Sequence, residues 1–147
     1  MTELTAAERR DLQCIAGMMI PASAEFGVPG ADDTAIFTDI IATMGRDTAD
    51  VHDALSALAK LAGGPLADLD PAKRDAVVLA FRERGAAAAA TLSRVILQCY
   101  YRDDRVVQSL GLEPRPPFPK GHILEQGDWS LLDPVRKRPK LWRDAPP

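Results

Sequence analysis

Two histidines and two cysteines are the residues of this chain best able to do chemistry. His52 stands between Val51 and Asp53, and His122 follows Gly121. No HExxH places two imidazoles one helical turn apart, and a zinc site needs three or four converging ligands. Cys14 and Cys99 are isolated in the sequence. Without CxxC or CxxCH there is no zinc ribbon, thioredoxin-type redox pair or attached c-type haem. Both cysteines are expected as buried free thiols that behave as small hydrophobes. Ser23, Ser56, Ser93, Ser109 and Ser130 lack the GxSxG elbow of an activated serine. Gly27–Gly30 and Gly63-Gly64 break helices and do not follow a strand, so they are not phosphate cradles. One enzymatic alternative remains, a small enzyme using Cys99 and His122. Cys99 falls on an apolar helix face, where a thiolate is disfavoured. The expectation is a chain with no catalytic, cofactor-binding or metal-binding residue of its own.

Charge and length narrow the classes further. A net charge of −3 argues against a dedicated nucleic-acid binder, which needs clustered positive charge to neutralise phosphates. The basic run Arg136–Lys140 is diluted by Glu125, Asp128, Asp133 and Asp144. No apolar run approaches the ~18 residues of a membrane span. Arg9-Arg10 is a twin arginine followed by amphipathic sequence, not by an apolar signal region. The expected compartment is the cytoplasm, or the periplasm if a partner exports the chain with it.

The elements that must position these residues are helical. Thr5-Ala-Ala-Glu8 reads as a capping box, and Leu12, Ile15 and Met19 repeat with helical period until Pro21, which predicts a helix over about 5–20. Residues 21–31 hold two prolines and two glycines and read as a loop, with Phe26 and Val28 tucked onto the core. Ile36, Phe37, Ile40, Ile41 and Met44 form an apolar face of a helix over about 32–44, led by Asp32 and Asp33. Val51, Leu55, Leu58 and Ala62 do the same over about 48–62, ended by Gly63-Gly64-Pro65. Asp70-Pro71 opens a fourth helix with Val77, Val78 and Phe81 inward. After Gly85, a fifth runs through Ala86–Ala90 to Tyr100, and its alanines allow another helix to come close. A short one over about 103–110 closes on Gly111. The fold class expected is all-α, a compact bundle of five to six helices over 1–111.

Residues 112–147 differ in kind. Eight of the twelve prolines and both tryptophans lie after residue 110. Proline fixes φ and removes a donor, so the expectation is an extended, proline- and aromatic-rich strap. Phe118, Ile123, Leu124, Trp129, Leu132 and Trp142 require a surface to lie on, either the bundle or a second protein. Trp129 and Trp142 are the strongest hot-spot candidates, because tryptophan supplies large buried area at low entropic cost. At the other end of the last long helix, Tyr100 and Tyr101 should face opposite ways, one inward and one outward. The mixed charges Arg102-Asp-Asp-Arg105 that follow should either pair locally or form a recognition corner. The expected partner interface is therefore Tyr100, Tyr101, Asp104, Arg105, Arg115, Phe118, Trp129, Leu132 and Trp142. A free-standing helical adaptor would use the same surfaces.

Several short stretches in order resemble one family. They are Leu4-Thr-Ala-Ala-Glu-Arg9, Met19-Ile-Pro21, Pro29-Gly-Ala31, Ile36-Phe-x-Asp39 and Tyr100-Tyr-x-Asp-Asp-Arg-Val106 with Leu110-Gly111. Together they resemble the gluconate 2-dehydrogenase subunit 3 family, over about residues 4–111. The resemblance implies a bacterial small subunit without catalysis of its own. Its partner would be a large FAD-bearing subunit of the glucose-methanol-choline oxidoreductase class, oxidising a sugar or other alcohol. The implied work is assembly, stability, maturation or escort of that subunit. Many members carry a twin-arginine export signal, which this sequence does not spell out, and its tail is longer than the family's usual end.

Overall fold

A computed structural model describes residues 3–114 and 126–143. Two units separate, Met1–Pro114 and Arg115–Pro147. In the first, α1 (Ala6–Met19), α2 (Thr34–Thr43), α3 (Thr48–Ala62), α4 (Pro71–Arg84), α5 (Ala86–Tyr100) and α6 (Asp104–Ser109) pack around one core. No strand occurs among the described residues beyond a single antiparallel bridge, Ser23 with Val28.

Local chemistry sets the helix ends. The capping box of α1 is formed. Glu8 N–H donates to the Thr5 hydroxyl at 3.3 Å, and Thr5 N–H donates to the Glu8 carboxylate at 2.8 Å. His52 Nδ1 stands 2.6 Å from the other Glu8 oxygen, so the start of α1 is tied to α3. Burial raises the Glu8 carboxyl, but Thr5 and His52 together outweigh it and hold the group below its ordinary value. Asp70 caps α4 through Lys73 N–H at 3.0 Å, with Pro71 in the first turn. Gly63, at φ +72°, takes the left-handed residue that ends α3. Gly85 joins α4 directly to α5, and a Cβ there would stand 3.3 Å from the Phe81 carbonyl.

The centre of the bundle is α5, packed against α1, α2, α3 and α4. Its Leu92, Val95, Ile96, Cys99 and Tyr100 are buried, with Leu55 and Leu58 of α3 and Ile36 and Ile40 of α2. Each such side chain contributes roughly 1.5–3 kcal/mol through removal from water. Asp11 is a buried carboxylate, 3% exposed. It accepts from Ala67 N–H at 2.9 Å, while Arg74 donates to the carbonyl of the same Ala67. Those two side chains grip the turn between α3 and α4, a 3-10 turn over Leu66–Asp68, and hold it on α1.

Three expectations need correction. Phe26 is 68% exposed and does not reach the core. The paired hydrogen bonds between Ser23 and Val28, at 3.0 and 3.1 Å, close a tight loop that lifts residue 26 to its tip. Next, α2 starts at Thr34 because Asp33 is its cap and not part of its first turn; it accepts from Ala35 N–H at 3.0 Å. Finally, the second unit is not wholly extended. Trp129–Leu132 forms a 3-10 turn and Asp133–Arg136 one turn of helix, α7. Asp128 nucleates it by accepting from Ser130 N–H at 3.0 Å, and Pro134 sits in the first turn, where its missing donor costs nothing.

Candidate partner interface

The corner where α5 ends is built by three side chains reaching back to earlier sequence. Tyr100 is 4% exposed, and its hydroxyl donates to the Pro29 carbonyl at 3.3 Å, which anchors the 21–31 loop. Burial, with Tyr101 and Asp103 nearby, pushes the Tyr100 phenol above its usual range. Arg102 donates through Nε to Asp39 of α2 at 3.1 Å, and through Nη2 to the Thr43 hydroxyl at 3.2 Å. Arg105 lies between two capping carboxylates. Its Nη2 is 2.7 Å from Asp33 Oδ1, the cap of α2, and its Nε is 2.9 Å from Asp103 Oδ1, the cap of α6. Hydrogen bonds from Arg105 hold both Asp33 and Asp103 below the ordinary carboxylate range.

The charged cluster pairs locally, Arg105 with Asp103, and at long range with Asp33 and Asp39, and both guanidiniums stay exposed. It is a clamp that fastens α5 and α6 to α2. Tyr100, expected at a partner interface, is buried at 4% exposure, and Arg105 pairs with Asp33 and Asp103 while its side chain stays 46% exposed. What the corner offers outward is the Tyr101 ring, 56% exposed and edge-on to Tyr100 at 5.3 Å between centroids, and the exposed Asp104 carboxylate. The two tyrosines do face opposite ways. The stretches at 19–21, 29–31, 36–39 and 100–106 meet in space here. Tyr100 reaches Pro29, Arg102 reaches Asp39, and Ala31 N–H donates to the Ile20 carbonyl at 2.9 Å.

In the second unit, none of the side chains in the helical turns at 129–136 is buried. Trp129, Leu131, Leu132, Val135, Leu141 and Trp142 are between 41% and 81% exposed. Trp129 Nε1 donates to Gln126 at 3.4 Å, and Lys140 Nζ stands 5.7 Å from the Trp142 ring centroid. Arg115, Phe118 and His122, together with Ile123 and Leu124, lie outside the described residues.

The thiols carry no sign of activation. Both cysteines are free. Burial raises the Cys99 thiol, and the Thr43 hydroxyl 3.3 Å away and Arg102 do not reverse it. Burial raises Cys14 as well. A raised thiol is a poor nucleophile at neutral pH. Among the described residues no three His, Cys, Asp or Glu side chains stand together as metal ligands. No described helix is long and apolar enough to cross a membrane. Comparison with known protein families, curated proteins and solved structures finds no match.

Proposed function

We propose that this chain is a non-catalytic small subunit of an FAD-dependent dehydrogenase of the glucose-methanol-choline class. It binds the large flavoprotein subunit and supports its assembly, stability or maturation. The observation that carries the binding role is the run of exposed apolar side chains between Trp129 and Trp142. Isolated exposed leucines are ordinary, but six large apolar groups this close in sequence, two of them tryptophan, are what a protein-binding surface presents. The class of partner rests on the family resemblance of residues 4–111.

In this reading the alcohol or sugar is oxidised at the flavin of the large subunit, and this chain contributes contact area. Co-expression with an FAD-dependent large subunit encoded beside it tests the reading. The expected result is a yellow complex of fixed stoichiometry, and a large subunit made alone that is less soluble or poorer in FAD. Separate elution of two fully soluble proteins, with flavin content unaffected, would refute it.

A further inference from the structure

Charge divides between the two units. Residues 1–114 hold 11 of the 18 Lys and Arg and 17 of the 21 Asp and Glu, a formal charge of −6. Residues 115–147 hold seven and four, a formal charge of +3. Within the second unit the signs separate again. Residues 126–133 carry Asp128 and Asp133 and no base, whereas residues 136–143 carry five bases and no acid. Every residue from 126 to 143 is exposed. Asp128 is fixed at the head of the 3-10 turn by the Ser130 hydroxyl and N–H, at 2.6 and 3.0 Å, and they hold its carboxyl below the ordinary range. Asp133 meets one base, Arg136, at 3.3 Å. Lys137, Arg138 and Arg143 have no ion pair among the described residues.

Leu141, 81% exposed, and Trp142, 71%, stand among those cations, with Lys140 Nζ 5.7 Å from the Trp142 ring centroid. A partner that buries this ring also strips water from the ammonium and guanidinium groups beside it. That is costly unless opposite charge replaces the water, and attraction grows as the local dielectric falls. A seat for Trp142 must therefore be ringed by carboxylates. Pro139 fixes one φ within the run, which lowers the ordering cost of docking. A layer of anionic lipid or a nucleic acid is negative throughout and would repel the half of the strip that holds Asp128 and Asp133. A protein can set acids against one half and neutral apolar surface against the other. We propose, on the strength of this unit's binding role, that residues 136–143 dock on a carboxylate-rich patch of the large subunit, and that this pairing steers association.

Stopped-flow mixing of the full chain with the flavoprotein subunit encoded beside it, followed by tryptophan fluorescence, tests the proposal. The association rate should fall about tenfold between about 50 and 500 mM NaCl, with much less change in the dissociation rate. Lys137→Glu combined with Arg138→Glu should slow association about tenfold at the lower salt and match the parent at the higher, with helical content unchanged. Trp142→Ala should instead speed dissociation at both. A complex whose association ignores salt, or ignores the charge reversal, would overturn the proposal while leaving the partner reading intact. No complex at either salt would overturn both. Tighter binding to phosphatidylglycerol vesicles or to a short duplex DNA than to the flavoprotein would mark a general polyanion site. Self-association at low salt that the charge reversal abolishes, and that the flavoprotein does not displace, would mark the acidic bundle of a second copy. Either of these also overturns the proposal.

Discussion

Asp11 offers a measurable test of how the bundle is closed. Its carboxylate is 3% exposed and accepts from Ala67 N–H at 2.9 Å, across 56 residues of sequence. Asp11→Ala leaves that N–H without its acceptor. A buried donor stripped of a charged partner costs about 1–3 kcal/mol. Ala67 is half-buried, so water can partly replace the lost oxygen, and about 1–2 kcal/mol is expected. For a bundle of this size that is a fall in Tm of about 4–8 °C. Asp11→Asn keeps an acceptor of the same shape and should lose less than half as much. Thermal unfolding followed by circular dichroism reads both. Arg74 grips the carbonyl of the same Ala67. A double-mutant cycle with Arg74→Met should therefore show coupling of at least ~0.5 kcal/mol. An alanine variant as stable as the parent, or an asparagine variant as damaged as the alanine one, would refute this account of the turn.

Tyr100→Phe should cost the isolated chain about 0.5–1 kcal/mol, because its hydrogen bond to Pro29 is long, and should leave partner affinity unchanged. A lost complex with unchanged stability would return Tyr100 to the interface. Arg105→Met should lower Tm at neutral pH and flatten its acid dependence. Asp33 and Asp103 have depressed folded values, so their contribution is present above the unfolded value of about 3.9 and is lost as pH falls through the folded ones. Equal loss of Tm between pH 5 and 3 in parent and variant would contradict this. Trp129→Ala and Trp142→Ala should each weaken the complex by about 2 kcal/mol or more, near thirtyfold in Kd, while Tm of the isolated chain stays put. Titration of the large subunit with each variant reads the first effect.

Local rules wrote much of the bundle legibly into the sequence. The Thr5–Glu8 box, the Asp70-Pro71 start and the Gly63 stop are each decided within a few residues, and all three form. The apolar period of α5 is similarly local, and its buried side chains follow it. What stayed illegible depends on partners far away in sequence. Arg102 and Arg105 read as members of a local charge run, yet they pair with Asp39 and Asp33, 63 and 72 residues distant. Nothing in the spacing of Asp11 beside an apolar stripe reveals that a backbone N–H in another turn requires its oxygen. Phe26 shows the converse failure, since apolarity alone promised burial and a tight loop overruled it. The aromatic run after residue 126 declares that it needs a surface, but its side chains carry no periodic pattern from which the surface could be named.

Removal of residues 112–147 tests most directly whether that run binds the large subunit. Among the described residues every buried side chain of the core lies within 4–111, so helical content of the remaining bundle should be nearly intact. The account predicts that the shortened chain folds and no longer co-purifies with the flavoprotein. A shortened chain that still elutes with it in the same ratio would contradict the account.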